Sequence, residues 1–200
     1  MLQTSIDKAN KIKRQKNMRR VVNIVTGCLN MFLVAAVVVI TIAHVDILAA
    51  QEKLATISDE DQMCLAQNIY FEANNQSVEG QVAVAWVTLN RMEDPNFPDT
   101  ICDVVKQARR DENGNIIRNK CQFSWYCDGK SDKIPSDEVS QRAWEKAQLI
   151  SHVVLLDWAR AKASPVENAT FYHAHYVNPK WASAFDRVAV VGDHIFYANN

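Results

Sequence analysis

The sequence predicts an α+β protein, mainly helical, with a small antiparallel hairpin near its C-terminus and one transmembrane helix ahead of the folded body. Three observations carry this. Val21 to Ala43 is 23 residues without a charge, apolar residues recur at helical spacing in three later segments, and the last third turns to extended runs around Gly192-Asp193. With 48% hydrophobic and 22% charged residues in 200, the chain is neither disordered nor fibrous. The part after the apolar run is long enough for one real core.

The N-terminal elements are read first. Residues 1–20 hold seven basic residues, Lys8, Lys11, Lys13, Arg14, Lys16, Arg19 and Arg20, against Asp7. That head carries +6, so the net −1 of the whole chain leaves −7 for residues 21–200. No global basic field recruits nucleic acid. Residues 21–43 can cross about 30 Å of hydrocarbon as a helix, and they exceed the apolar core of about 7–15 residues of a cleaved signal peptide. The run reads as an uncleaved signal anchor, with cleavage after Ala43 or Ala50 as the alternative. Basic residues before the span and only Asp46, Glu52 and Lys53 after it predict a cytoplasmic N-terminus and a body across the membrane. Asn23, Thr26, Gly27 and Asn30 soften the N-terminal half of the span.

Residues 44–57 are expected to form a linker or short stalk, and residues 58–200 the folded domain. Ser58-Asp59-Glu60-Asp61 gives a capping pattern that opens a helix towards Ala73, with Leu65, Ala66, Ile69, Tyr70 and Ala73 facing a core. Asn74-Asn75-Gln76 interrupts it. Ser77 caps a second helix carrying Val78, Val82, Ala85, Trp86 and Leu89 as far as Arg91 or Met92. Pro95 and Pro98 enforce a loop, Asp99 or Thr100 starts a short helix through Val104-Val105, and Asn113-Gly114 reads as a tight turn between extended residues. Ser136 to about Lys162 is the longest helix after the anchor, with Val139, Ala143, Ala147, Ile150, Val154 and Trp158 as its buried row. Ala169–His173 reads as a weak strand, and Arg187–Val191 with His194–Tyr197 as a hairpin across Gly192-Asp193.

Cys64, Cys102, Cys121 and Cys127 make an even set in the exported part, which allows three pairings. Cys121 with Cys127 brackets a short loop and is favoured, leaving Cys64 with Cys102; buried thiols are the alternative. The spacing lacks the short CxxC pairs of a structural zinc site, and no cofactor or metal is expected.

Two groups of residues suggest chemistry. Glu72 lies in Tyr70-Phe71-Glu72-Ala73, and a carboxyl group among aromatic rings stays protonated more readily and can serve as a general acid. Most helix glutamates are solvated, and spacing alone favours that blander reading. His173 and His175 would share a strand face, and His194 could approach across the hairpin, a set able to bind zinc and activate water. No HExxH motif accompanies them, so ordering of a groove by Tyr172 and His173 is preferred. No GxSxG elbow supports a serine hydrolase.

Residues 70–84, YFEANNQSVEGQVAV, are followed by Leu89-Asn90-Arg91, Phe97-Pro98, Ile101, Val104-Val105, Gln122-Phe123-Ser124, Phe171-Tyr172-His173-Ala174, Pro179, Trp181 and Gly192-Asp193-His194-Ile195-Phe196-Tyr197. This ordered series resembles the SleB-type cell wall hydrolases, the spore cortex-lytic enzyme family, over roughly residues 60–198. The resemblance implies a lysozyme-like catalytic domain that cleaves the β-1,4 bond between N-acetylmuramic acid and N-acetylglucosamine, often as a lytic transglycosylase. It places Glu72 on the family's catalytic glutamate. The family commonly reads Glu-Ala-Arg-Gly-Glu where this chain has Glu72-Ala73-Asn74-Asn75-Gln76, so the later acid and the Arg-Gly turn are missing.

The expected mechanism has protonated Glu72 donate to the glycosidic oxygen and the carboxylate then accept the proton of the muramyl 6-hydroxyl, leaving a 1,6-anhydro end. Gln122, Ser124, Tyr172 and His173 are the expected groove residues, with Glu79 and His194 in supporting positions. The expected partners are peptidoglycan glycan strands, in wall remodelling or phage-mediated lysis, and the cytoplasmic membrane through residues 21–43. Two alternatives are a zinc amidase built on His173, His175 and His194, and a wall-binding module without catalysis.

Overall fold

The structure, a computed structural model, describes residues 2–199; the side chains of residues 2–12, Gln15 and Ile24 lie outside the description, and with them Lys8 and Lys11 of the basic head. Two compact units divide the chain, Met1–Leu48 and Ala49–Asn200.

The first unit is all helix, part of α1 (Leu2–Ala55). Among the described residues α1 holds the one stretch long and apolar enough to cross a membrane, Lys16–Ala55. The two threonines of this stretch turn back on the helix itself: the Thr26 hydroxyl donates to Val22 O and that of Thr41 to Val38 O, each at 2.8 Å. Such back-bonding keeps a hydroxyl satisfied where water is absent. Among the described residues, the apolar side chains from Val21 to Leu48 stand exposed.

The second unit opens with the end of α1. Residues 44–55, expected as a stalk, are helical, as their Ala, Leu, Gln, Glu and Lys content favours. Ala50, Leu54 and Ile57 pack on the core. Lys53 Nζ lies 3.8 Å from the centre of the Trp158 ring and 3.2 Å from Glu93 Oε1, which also accepts from Trp158 Nε1 at 2.7 Å. The folded body therefore starts near Ala49, ahead of residue 58.

Four helices make the core: α2 (Asp59–Ala73), α3 (Val78–Glu93), α4 (Ile101–Val105) and α5 (Glu138–Ala159). Each starts on a side-chain cap. The hydroxyls of Ser58, Ser77 and Thr100 accept the N–H groups of Asp61, Gly80 and Asp103, and the carboxylate of Asp137 accepts that of Ser140. Helix α2 packs on α3, α4 and α5, and Leu65, Ile69, Val87, Leu89, Ile101, Val104 and Leu155 belong to one buried cluster. Cys64–Cys102 staples α2 to α4, beside a bond from Cys102 N–H to Asp61 Oδ1 of 2.9 Å. Cys121–Cys127 closes the short loop. In α5 the buried row begins about two turns later than the sequence suggests: Ala147, Ile150, Val154 and Trp158 are buried, Ala143 is half-buried, and Val139 in the first turn is 73% exposed.

Two antiparallel sheets complete the unit. Strands β1 (Ala108–Arg110) and β2 (Ile116–Cys121) form a hairpin. Its connection is a five-residue loop rather than a two-residue turn, because Asp111 Oδ1 accepts from the N–H groups of both Asn113 and Asn115. The second sheet has the order β3-β5-β4, from Phe171–Ala174, His194–Ala198 and Asp186–Val191. The Gly192-Asp193 hairpin is present, with Val191 opposite His194. Pairing of Tyr172 with Phe196 and His173 with Ile195 adds β3 as an edge strand.

Candidate active site

Glu72 is the second-last residue of α2, where the helix runs out at Asn74 and its side chain meets β3. Tyr172 Oη donates to Glu72 Oε2 at 3.0 Å. Glu72 is partly buried, and desolvation raises its pKa above the usual carboxylate range, opposed by the Tyr172 hydrogen bond and by the charge of Arg91. Burial and the neighbouring carboxylate push the Tyr172 phenol well above its ordinary value, so it remains a neutral donor.

Arg91 is the residue that residue-by-residue reading of the sequence missed. It is 4% exposed, and its guanidinium carbon lies 4.9 Å from the centre of the Phe123 ring and 5.5 Å from that of Phe97. Burial lowers its pKa to about 10, which leaves it charged at neutral pH. A signal existed, because Val84, Val87 and Arg91 follow helical spacing and the first two are fully buried. A cation on such a stripe has to be held by something.

What Arg91 holds explains where β3 sits. Arg91 Nε donates to Thr170 O at 2.7 Å, and Asn90 Nδ2 donates to Glu167 O and Ala169 O at 2.9 and 2.8 Å. The end of α3 thus clamps three carbonyls of the segment that enters β3, fixing Tyr172 opposite Glu72. Behind Glu72, Phe71 stacks on Trp125 at 4.7 Å, and Trp125 Nε1 donates to the buried Asn68 Oδ1 at 3.0 Å. Asn68 Nδ2 in turn donates to Thr88 Oγ1 on α3 at 3.1 Å. Trp86, on the apolar row of α3, is buried in the core.

A cleft of about 470 Å³ adjoins this site, lined by Arg91, Gln122, Phe171, Tyr172, Trp181 and Phe185. Neighbouring residues of β3 both line it because it runs along the free edge of that strand. Of the expected groove residues, Gln122 and Tyr172 are in the lining. Ser124 is exposed at the start of a 3₁₀ turn, Ser124–Cys127, outside that lining. His173 stands one position along from Tyr172 and points to the other sheet face, stacked on Tyr197, whose hydroxyl lies 2.9 Å from His173 Nε2. Trp181, Phe171 and Phe185 were not singled out as groove residues, since aromatic side chains more often pack in cores.

His194 is buried edge-on to Tyr172 at 5.2 Å, and burial lowers its pKa. Glu79 is exposed in the first turn of α3, where its own backbone N–H and the Ser77 hydroxyl hold it below the usual carboxylate range. The three histidines do not converge. His194 lies opposite Ala174 and so shares the face of Tyr172, while His173 is on the other face and His175 lies beyond the strand end, its Nδ1 3.2 Å from Asp193 O. Among the described residues the one group with metal-ligand spacing is Glu60, Cys64 and Cys102, and both of its cysteines are in the disulfide.

A helix-borne carboxyl group of raised pKa thus stands beside an aromatic-lined cleft, an arrangement suited to acid–base chemistry. The model of the Cell Wall Hydrolase family matches residues 75–197, and the chain belongs to that family. It is 30% identical over 143 residues to a spore cortex-lytic enzyme of Halalkalibacterium halodurans, covering 71% of this chain and 36% of that protein. It is 27% identical over 140 residues to the spore cortex-lytic enzyme of Oceanobacillus iheyensis, covering 70% of this chain and 42% of that one. The chain thus spans well under half the length of these relatives. Among solved structures, the catalytic domain of the Bacillus cereus SleB protein aligns with a TM-score of 0.48 and 26% identity, covering 71% of this chain and 92% of that one.

Proposed function

We propose that the chain is a membrane-anchored glycosidase that cleaves the β-1,4 bond between N-acetylmuramic acid and N-acetylglucosamine in peptidoglycan, as a lytic transglycosylase. The observation that carries this is the setting of Glu72: a carboxyl group whose pKa is raised by burial, bonded by the Tyr172 hydroxyl and close enough to feel the charge of Arg91. The family match starts at residue 75, so the role of Glu72 rests on these surroundings.

Protonated Glu72 donates to the glycosidic oxygen as the C1–O bond breaks, and an oxocarbenium-like muramyl residue forms. Tyr172 and Arg91 both favour the carboxylate that remains. That carboxylate accepts the proton of the muramyl 6-hydroxyl as its oxygen closes on C1, giving the 1,6-anhydro product and restoring the acid. An inverting hydrolase needs a second carboxylate to activate water, and Glu79, the next acid in sequence, is exposed in the first turn of α3 and bonded to Ser77 and its own backbone N–H. Gln122 supplies hydrogen bonds and Trp181 an apolar ring face to a neutral sugar in the cleft.

The long apolar helix supports anchoring. The basic head before it puts the N-terminus in the cytoplasm and the enzyme outside, where its disulfides form. A periplasm-active reporter fused after residue 60 is expected to be active; activity of a cytoplasmic reporter there would reverse the topology.

The test of activity is mass spectrometry of material released from purified sacculi by the full chain in detergent, beside Glu72→Gln. The parent is expected to release anhydromuropeptides and the variant at least about a thousandfold fewer, in line with loss of a general acid. Reducing muramyl ends would mean hydrolysis, free stem peptides an amidase, and binding without release a module that does not cut.

A further inference from the structure

The turn that departs from the family pattern, Asn74-Asn75-Gln76, makes a specific contact across the molecule. Gln76 Nε2 donates to Asp193 Oδ2 at 3.3 Å, and Gln76 Oε1 accepts the N–H of Asp193 at 3.3 Å. Asp193 presents one acceptor and one donor, and a glutamine amide matches both, whereas a glutamate would set carboxylate against carboxylate. Three neighbours make room for the pair or pin it. Gly192 has φ +56°, and a Cβ there would stand 3.0 Å from Gln76 Oε1. A Cβ on Gly80 would likewise stand 3.0 Å from Gln76 Cβ. The buried Gln81 donates from Nε2 to Asn74 O and Gln76 O at 3.3 and 3.1 Å, fixing the backbone of the turn.

This contact closes a ring around the candidate acid. Glu72 is four residues before Gln76; Gln76 holds Asp193; the next residue, His194, packs edge-on against Tyr172; and Tyr172 donates to Glu72. We propose that Gln76 is a positioning residue that latches the α2–α3 turn to the β4–β5 turn, and thereby holds the Tyr172 hydroxyl on Glu72. The proposal rests on the glycosidase reading and assigns a role to a position where this chain differs from its family. Loosening the latch lets the hairpin carrying His194 shift and misdirects the Tyr172 hydrogen bond. Because Gln76 does not line the cleft, substrate binding is left in place.

The experiment uses the full chain in detergent with purified sacculi, comparing the parent with Gln76→Ala, Gln76→Glu, Asp193→Asn and the double variant that combines Gln76→Glu with Asp193→Asn. Gln76→Ala and Gln76→Glu are expected to lower kcat about tenfold with KM changed less than about twofold, as for an interaction felt in the transition state rather than in binding. The double variant is expected to return to within about threefold of the parent, since the side-chain amide introduced at position 193 can then donate to the carboxylate introduced at position 76, and Asp193→Asn alone to stay near it. Amide hydrogen exchange over residues 190–195 reads the latch without turnover and is expected to quicken in Gln76→Ala. Full kcat in Gln76→Glu, failure of the double variant to recover, or unchanged exchange would each overturn the proposal. A parent that releases neither anhydromuropeptides nor reducing muramyl ends would instead overturn the glycosidase reading, while the exchange data still judge the latch.

Discussion

Replacing Tyr172 with Phe removes the hydrogen bond that its hydroxyl donates to the Glu72 carboxylate, 3.0 Å from Oη to Oε2, and leaves the ring in the same packing against His194 and Phe196. A hydrogen bond to a charged group contributes about 1.5–3 kcal/mol. If roughly half of the proton has left Glu72 in the transition state, about 0.8–1.5 kcal/mol of that is lost there, a slowing of about 4- to 12-fold in kcat/KM. The same bond lowers the pKa of Glu72, so its removal raises that pKa further. A general acid works while protonated, so the alkaline limb of kcat/KM against pH moves upward. The assay is initial release of muropeptides from sacculi at a series of pH values, parent against Tyr172→Phe. An alkaline limb that stays put or moves down would show that Tyr172 does not act on the group that donates the proton.

Three further outcomes follow from the same geometry. In Glu72→Gln the carboxyl whose folded pKa is raised is gone; its favourable contribution is complete below the unfolded pKa and is lost as pH rises through the folded one. The melting temperature of this variant, relative to the parent, is therefore expected to rise as pH increases from the ordinary carboxylate range upward, and a flat difference would count against burial as the cause. Asn68→Leu strands the indole N–H of Trp125 and is expected to cost about 1–3 kcal/mol in urea unfolding, with altered tryptophan fluorescence. Cys64 and Cys102 are 38 residues apart and Cys121 and Cys127 only 6. Chain entropy then predicts losses of about 4 and about 2 kcal/mol for the respective double Cys→Ser variants, and equal losses in unfolding midpoint would contradict that ordering.

Features written in consecutive residues were legible. Ser58, Ser77 and Thr100 each precede an apolar periodic run and do cap α2, α3 and α4. Gly192-Asp193 between two extended runs does turn a hairpin, and the favoured cysteine pairing is the one found. Long-range partners were not legible. The sequence of β3 does not reveal that it pairs with β5, nor that Arg91 reaches Thr170, 79 residues away. Periodicity also continues past the point where a neighbour ends, which is why Val139 fits the row in α5 and yet lies in solvent. The zinc alternative failed on register: a strand turns successive side chains to opposite faces, and the pairing of Ala174 with His194 put the second imidazole behind the sheet from His173.

The contrast between the three polar groups of the site argues for one mobile proton. Tyr172 is pushed well above its ordinary pKa and stays protonated, and Arg91, although lowered to about 10, stays charged. Glu72 alone is moved towards the neutral range, by a burial that opposes its charge and two neighbours that favour it. Stronger burial without Tyr172 and Arg91 would hold the proton too tightly to give to a glycosidic oxygen. Stronger pairing without burial would leave an ionised carboxylate with nothing to give. A transglycosylase asks the same group to donate and then to accept, and needs its two states close in free energy. The clamp of Asn90 and Arg91 on the strand entering β3 therefore does two things at once: it places the Tyr172 donor, and it brings in the charge that keeps the acid from becoming too weak.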